Sequence, residues 1–335
     1  MQKWILVAGG AGFIGSHVNA ALQRSGYQTV ILDNLSSGNP KAILQGTFIK
    51  GDIHDSNLLD KIFTTYSIDA VMHFAAFTEV GESVIDPIKY YENNVVATLN
   101  LLEAMLRHNV HTFIFSSTAA IFGLPKEHLI NETHPCHPIN PYGQTKLMVE
   151  EILKDFSHAY GLKFCSLRYF NAAGGDPKGE IKNFKTKEAN LIPIVLRKIK
   201  NLKLNPKAKE AVLIFGTDFP TPDGTGVRDY VHVEDLATAH IAAMEKLFAG
   251  SASLQYNLGN GQGFSVREVI AAAIKVTGIE IPAKESPRRE GDPAFLVADS
   301  KKARLELHWQ PKYPSLEIIV MHAWQALNDS KNDGE

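Results

Sequence analysis

A glycine-rich turn near the amino terminus constrains the fold of this chain more than any other feature. The apolar run Trp4–Ala8 leads directly into Gly9-Gly10-Ala11-Gly12-Phe13-Ile14-Gly15, after which apolar residues recur at helical spacing. Gly10, Gly12 and Gly15 satisfy the spacing G-x-G-x-x-G. Such glycines permit a tight turn, a close approach of a pyrophosphate, and close packing of helix on strand. The segment therefore predicts a strand, a turn and a helix whose amino terminus binds a dinucleotide.

The second predicted strand ends in an acidic residue. Thr29-Val30-Ile31-Leu32-Asp33 is an apolar run of strand length, and Asp33 follows Gly15 by 18 residues. A carboxylate at this place bonds a ribose 2′-hydroxyl and repels a 2′-phosphate. We therefore expect NAD rather than NADP as the cofactor. The alternative is that Asp33 only caps its own turn.

Strand-like and helix-like segments alternate over the first 175 residues, which predicts an α/β fold with a Rossmann-like doubly wound parallel sheet. We predict further strands at 47–53, 70–76, 112–117 and 163–168, and helices at 94–107 and 141–159. Ligands bind beyond the carboxyl ends of such strands, so Asp52, Ala75, Ala76, Thr118 and Asn171 should converge.

The chain beyond about residue 174 is richer in Lys, Pro and Gly, which suggests a second unit. We predict an NAD-binding domain over residues 1–173, rejoined by about 226–262. Residues 174–335 should then form mainly a smaller, C-terminal substrate-binding lobe.

A tyrosine and a lysine four residues apart form the candidate catalytic pair. Asn140 is a good N-cap and Pro141 a good first helical residue, so Tyr142 and Lys146 should share one face of a first helical turn. A nearby cation favours the phenolate and lowers the pKa of a tyrosine, which makes Tyr142 a usable general base. Thr118, at a strand end, can orient the reacting hydroxyl. Tyr142 and Lys146 could instead be ordinary surface residues, and Thr118 could cap its own turn.

Composition excludes several classes of function. The formal charge of −2 gives no electrostatic basis for binding nucleic acid or an anionic membrane. No apolar run approaches 18 residues, and the first strand begins too early for a signal peptide. With two cysteines only, a reducing, cytoplasmic setting is expected. The cluster of His134, Cys136 and His137 lies in a Pro-rich loop with the wrong spacing for a metal site, so we expect no metal.

Six ordered motifs identify a resemblance that runs from residue 5 to about residue 309. They are HFAA at 73–76, VGESV at 80–84, YYENN at 90–94, LRYFN at 167–171, DGTGVRDY at 223–230 and PRREGD at 287–292. With the features above, they make the chain similar to the extended short-chain dehydrogenase/reductases. Within that superfamily it closely resembles the UDP-glucose 4-epimerase family.

The resemblance implies a role for each matching residue. The cofactor would contact Gly9, Gly12, Phe13, Ile14, Gly15, Asp33, Asn34, Leu35, Ser36, Ser37, Gly38, Asp52, Ile53, Phe74, Ala75, Ala76, Phe77, Thr78, Asn93, Lys146 and Phe170. The nucleotide sugar would contact Thr118, Tyr142, Asn171, Asn190, Leu191, Leu213, Ile214, Phe215, Arg228, Arg289, Asp292 and Leu296. Arg228 and Arg289 suit a diphosphate, although either could be a surface charge or an ion pair between lobes.

The implied activity is reversible epimerisation at carbon 4 of UDP-glucose and UDP-galactose through a transient 4-keto sugar, with bound NAD. The apolar faces of the helices predicted at 94–107 and 141–159 could pair between subunits, so we also expect a homodimer. Alternatives are a UDP-N-acetylglucosamine epimerase, a nucleotide-sugar dehydratase or decarboxylase, and a non-catalytic NAD sensor. A dehydratase would carry an acid pair after Thr118, where Ala119 and Ala120 stand.

Five positions depart from the pattern of the family. Ala8, Thr78, Phe122 and Thr118 replace a threonine, a lysine, a tyrosine and a serine that relatives carry. Leu296 stands where some members carry tyrosine, and the smaller leucine is expected to leave room for an N-acetyl group. The alternative is that Leu296 only packs its strand.

Overall fold

The computed structural model describes residues 2–183 and 189–328. The strands described are β1 (Trp4–Ala8), β2 (Gln28–Asp33), β3 (Thr47–Lys50), β4 (Ile68–His73), β5 (Thr112–Thr118), β6 (Leu129–Ile130), β7 (Lys163–Tyr169), β8 (Asn171–Ala173), β9 (Val212–Phe215), β10 (Val227–His232), β11 (Leu254–Leu258), β12 (Gly263–Ser265), β13 (Ala283–Ser286) and β14 (Phe295–Ala298). The α-helices are α1 (Phe13–Arg24), α2 (Ser56–Thr65), α3 (Val80–Ile85), α4 (Pro87–Tyr91), α5 (Ala97–Arg107), α6 (Pro141–Tyr160), α7 (Leu191–Leu204), α8 (Val233–Phe248), α9 (Val266–Thr277), α10 (Lys301–Glu306) and α11 (Leu316–Asn328).

The central sheet has seven parallel strands in the order β11-β7-β5-β4-β1-β2-β3. The order reverses at β1, which pairs with both β2 and β4, so a crevice opens beyond the carboxyl ends of these strands. A smaller sheet follows the order β12-β10-β14-β6, with β8 paired to β10, and β9 pairs with β13. Residues after the ends of β1, β4, β5 and β7 therefore face one edge.

Both faces of the central sheet are covered by helices. Buried residues of α2, α5 and α6 form a core with one face, and α1 and α8 pack on the other. A third core joins α7, α9 and α11 to the strands of the smaller lobe. In the described ranges, no helix is long and apolar enough to cross a membrane.

Local signals explain the boundaries of α6. The Oδ1 atom of Asn140 accepts a hydrogen bond of 2.8 Å from the Gly143 amide, and Pro141 is the first residue of α6. The helix ends at Gly161, whose φ of 69° is left-handed and suits glycine. The predicted start at Asn140 and Pro141 is confirmed.

The predicted fold class, a doubly wound parallel α/β sheet, is confirmed. The structure shortens β4, which ends at His73 rather than at Ala76, because its neighbour β1 ends at Ala8 and turns away through Gly9. The helix predicted at 94–107 is α-helical only from Ala97, since Glu92–Val96 form a π-helix. We did not predict β11 as a strand; it extends the sheet beside β7.

Candidate active site

The glycine-rich turn is packed too tightly to accept most side chains. A Cβ atom on Gly9 would lie 2.4 Å from the Ala75 amide nitrogen, and one on Gly15 would lie 2.4 Å from the Gly9 carbonyl oxygen. Gly12 differs, because a Cβ there would meet only the Gly9 oxygen, at 3.3 Å, and Gly12 borders two neighbouring cavities. Gly9 and Gly15 thus bring strands and helix together, while Gly12 leaves room beside the first turn of α1. This cradle fits the pyrophosphate of a dinucleotide.

Asp33 organises the loop on one side of this cradle. Its carboxylate accepts hydrogen bonds from the amides of Ala11 (2.9 Å) and Leu35 (2.8 Å). Burial raises the pKa of Asp33, and these two donors oppose that shift. Leu35 has a φ of 63°, a strained conformation for a residue other than glycine. Asp33 therefore caps its own turn, and its carboxylate keeps lone pairs that can accept from a ribose.

The two cavities that meet at Gly12 collect most of the residues predicted to bind the cofactor. One has a volume of about 440 Å³ and the other about 60 Å³. Asn34 donates a 2.7 Å hydrogen bond to Asp52, which ties the Asp33 loop to the residues after β3. The predicted residues lining one or both cavities are Gly9, Gly12, Phe13, Asp33, Asn34, Leu35, Ser36, Ser37, Gly38, Asp52, Ile53, Phe74, Ala75, Ala76, Phe77, Thr78 and Asn93.

The candidate catalytic residues meet where β5 and α6 adjoin. Tyr142 and Thr118 are both buried, and the Thr118 side chain lies close enough to Tyr142 to favour its ionised form. Thr118 Oγ1 also accepts a 3.1 Å hydrogen bond from the Ala120 amide, so this residue both caps its turn and contacts Tyr142. A Cβ on Gly143 would lie 2.6 Å from the Ala120 carbonyl oxygen, so α6 packs directly on that turn.

The prediction that Lys146 lowers the pKa of Tyr142 is wrong for this structure. Burial raises the pKa of Tyr142, and the hydrogen bond from Thr118 only partly opposes the rise. The Lys146 Nζ atom instead donates a 2.9 Å hydrogen bond to the Ser116 carbonyl oxygen and lies 4.9 Å from the centre of the Phe115 ring. Burial lowers the pKa of Lys146 to about 7. Neither residue is an exposed surface group.

A third cavity, of about 370 Å³, lies in the smaller lobe. It lies between α7, β9, β10 and the segment that precedes β14. The residues predicted to bind the nucleotide sugar that line it are Asn171, Asn190, Leu191, Leu213, Phe215, Arg228, Arg289 and Asp292.

The two arginines of this cavity have different surroundings. Arg228 donates to the Val227 and Pro293 carbonyl oxygens at 2.9 and 2.8 Å and pairs with Asp292 at 3.3 Å. Arg289 lies over the Phe215 ring, 3.8 Å from its centre. The ion-pair alternative thus applies to Arg228, and the Arg289 guanidinium is held flat against an aromatic wall of the cavity.

Several predicted residues lie away from these three cavities. The Ile214 side chain is buried in the lobe core because β9 alternates, and Phe170 packs on Phe122. Leu296 packs on the cluster that contains Ala119, Phe122 and Phe170. Ile14 packs into the core between α1 and the sheet, and Gly15 acts through its close packing.

Sequence reasoning missed cavity residues whose place depends on tertiary packing. Glu82, Lys89 and Tyr90 line the largest of the three cavities, where Lys89 pairs with Glu82 at 2.7 Å. Tyr90 lies in the motif at 90–94, which was the available signal. Phe219 lines the cavity of the smaller lobe, and no pattern in the sequence distinguishes it.

Known proteins are similar to this chain in sequence and in fold. The UDP-glucose 4-epimerase of Halalkalibacterium halodurans is 53% identical over 320 residues, which are 96% of this chain and 94% of that protein. The structure of UDP-glucose 4-epimerase from Brucella ovis in complex with NAD is 43% identical, with a TM-score of 0.91 over 96% of this chain and 97% of that one. The UDP-Glc/GlcNAc 4-epimerase from Campylobacter jejuni is 42% identical, with a TM-score of 0.84 over 97% and 98% of the two chains.

A family model also matches most of this chain. The model of the NAD dependent epimerase/dehydratase family matches residues 5–259, which contain the glycine turn, Thr118, Tyr142 and Lys146. With this match and the 53% identity over nearly the whole length, the chain belongs to the NAD dependent epimerase/dehydratase family.

Proposed function

We propose that this chain is an isomerase that inverts carbon 4 of UDP-glucose and UDP-galactose reversibly, with NAD and through a transient 4-keto sugar. The observation that carries the proposal is the burial of Thr118 and Tyr142 side by side where β5 and α6 adjoin at the edge of the sheet. Tyr169 pairs with Thr118 across the sheet, and Asn171, two residues later, borders the cavity of the smaller lobe. The 53% identity to an enzyme named UDP-glucose 4-epimerase supports the substrate.

The residues around the glycine turn are proposed to hold the cofactor. When bound, NAD supplies hydride acceptance and return. The amides at the start of α1 would bind the pyrophosphate, and Asp33 the adenosine ribose. Asp33 would also repel a 2′-phosphate, which favours NAD over NADP.

Tyr142 is proposed to move the proton of the carbon 4 hydroxyl. Burial raises the pKa of Tyr142, and the Thr118 side chain opposes that rise, so Thr118 is proposed to stabilise the phenolate of Tyr142 that acts as the base. Lys146 is proposed to orient the cofactor ribose while anchored to the Ser116 carbonyl. Since the hydroxyls are buried, little water competes for the transferred proton.

The smaller lobe is proposed to hold the uridine diphosphate while the sugar turns over. Arg289, lying flat against Phe215, can present its guanidinium to phosphate oxygens. Asn190 is the N-cap of α7, and the positive end of a helix dipole favours an anion. We accordingly propose residues 1–173 with 226–262 as the cofactor domain, and 174–335 as mainly the substrate lobe.

A homodimer is proposed from an exposed apolar surface. Val84, Ile85 and Ile88, on α3 and α4, are 63%, 86% and 69% exposed. Val96, before α5, and Met148, on α6, are also exposed, and these elements adjoin. An apolar surface of this kind on adjoining helices typically marks a protein interface.

Replacing Tyr142 tests the proposed base. Tyr142→Phe removes the phenol oxygen but keeps the ring, so UDP-galactose turnover should fall about 10²–10⁴-fold with bound NAD retained. Steady-state kinetics and cofactor content after denaturation measure both. Tyr160→Phe, at the exposed end of the same helix, is the control and should be unaffected. Near-wild-type turnover in Tyr142→Phe would exclude Tyr142 as the base.

Replacing Lys146 tests its buried, weakly basic state. The unfolded chain holds this proton up to a pKa near 10.5 and the folded chain only up to about 7, so stability rises with pH between these values. The free energy of unfolding of the wild type minus that of Lys146→Met should therefore increase by about 1.4 kcal/mol for each pH unit in this range. Denaturant unfolding at pH 7.5 and 9.5 measures the gain. A difference independent of pH would show that the folded chain keeps Lys146 charged.

Replacing Leu296 tests the substrate range. Leu296 packs on the cluster that contains Ala119 and Phe170, and we propose that a larger side chain there would narrow the space for the sugar. Leu296→Tyr should reduce turnover of UDP-N-acetylglucosamine by at least about tenfold and largely spare UDP-galactose. Parallel kinetics on the two substrates provide the comparison, and equal loss on both would mean that Leu296 is only structural.

Charging the apolar surface tests the dimer. Multi-angle light scattering at micromolar concentration should give twice the 36.9 kDa of one chain. Ile85→Lys should shift the protein toward the monomer, because a buried, unpaired charge opposes association. Leu305→Lys, at an equally exposed apolar residue on α10, is the control. A wild-type mass near 36.9 kDa would refute the dimer.

A further inference from the structure

A buried carboxylate lies on the helix that carries Tyr142 and Lys146. Glu150 is fully buried, and its two oxygens accept hydrogen bonds from Ser117 Oγ (2.6 Å), Arg168 Nε (2.9 Å) and Gln255 Nε2 (3.1 Å). Arg168 also donates from Nη2 to Glu150. The motifs of the family left this residue without a role.

The bonds of Glu150 reach both parts of the candidate catalytic group. Glu150 follows Lys146 by one helical turn and Tyr142 by two, so all three lie on one face of α6. Ser117, which donates to it, immediately precedes Thr118. One carboxylate therefore joins α6 to the end of β5, where the hydroxyls of Tyr142 and Thr118 meet.

Arg168 connects the same carboxylate to the turn after Thr118. Its guanidinium, only 3% exposed, lies 5.6 Å from the centre of the Phe122 ring and donates to the Glu132 carbonyl oxygen at 3.3 Å. The Phe122 ring in turn contacts Phe170. Arg168 thus connects Glu150 to the segment that follows Thr118.

We propose that Glu150 is a positioning residue, which sets the distance between the Tyr142 and Thr118 hydroxyls through Ser117 and Arg168. The proposal rests on the epimerase function proposed above. A buried ion pair is often no more stabilising than apolar residues of the same volume, so stability alone gives a weak reason for this pair. Bidentate geometry that fixes a helix against a strand end gives a stronger one.

Glu150→Gln compared with Glu151→Gln isolates the effect. Glu151 is the next residue of the same helix, and it is exposed and paired with Lys154. Turnover of UDP-galactose by Glu150→Gln should fall about 10²-fold, with KM changed less than about threefold, because misplacing reacting groups by about 1 Å costs that much in rate. The groups proposed to bind the diphosphate lie on other elements, so KM is spared. An unchanged kcat in Glu150→Gln would overturn the proposal.

A double variant separates positioning from simple charge neutralisation. Glu150→Met/Arg168→Met removes both charges and should fold with stability near that of the wild type. If Glu150 positions the site, kcat of the double variant stays low although stability is regained. If Glu150 only neutralises Arg168, kcat returns with stability, and the proposal fails.

Amide hydrogen exchange tests the positioning without any turnover. Peptides covering residues 140–148 should exchange at least about tenfold faster in Glu150→Gln than in Glu151→Gln, because the first turns of α6 lose an anchor. Equal exchange would contradict the proposal whatever the substrate. Wild-type protein inactive on UDP-galactose would refute the proposed function instead, and exchange would still decide the role of Glu150.

Discussion

The candidate site depends on the close approach of glycine backbone atoms to neighbouring backbone at the turn after β1. Gly9 lies against the residues that follow β4, and Gly15 lies against Gly9 itself, each at distances that no Cβ could occupy. This packing brings the start of α1, the end of β1 and the loop after β4 to one point. The space left beside Gly12 then continues into the two cavities lined by the proposed cofactor residues.

A second constraint comes from α6, because its inner face buries polar side chains. Tyr142, Lys146 and Glu150 are all removed from water, which disfavours charge on the first two. Each is compensated by a specific partner: the Thr118 hydroxyl, the Ser116 carbonyl and the Arg168 guanidinium. All three partners lie on the neighbouring strands β5 and β7. The burial therefore couples the position of α6 to the two strand ends that border the site.

The smaller sheet explains how residues that are distant in sequence, and that are proposed to bind the substrate, come together. Asn171 on β8, Arg228 on β10 and Leu296 on β14 belong to strands that pair side by side, although 125 positions separate the first from the last. Arg228 and Leu296 are direct partners in the register. The hydrogen bonds of Arg228 to the Pro293 carbonyl and to Asp292 hold the loop that also carries Arg289. One strand pairing thereby shapes both the phosphate side and the sugar side of the proposed substrate site.

The resemblance to a family implied most of the residues that line the two cavities at Gly12, whereas the sequence by itself determined the fold class, the glycine turn and the start of α6. Such features depend on a few neighbouring residues, whose backbone preferences and caps act within one or two turns of chain. Only the tertiary structure decided the protonation behaviour of Tyr142 and Lys146, because burial and the choice of partner set their pKa values. The tertiary structure also decided that the Ile214 side chain is buried in the core. It likewise decided that Glu150 pairs with Arg168, which lies 18 positions away on a different element. Contacts between distant elements depend on how all the layers pack, which no local pattern encodes.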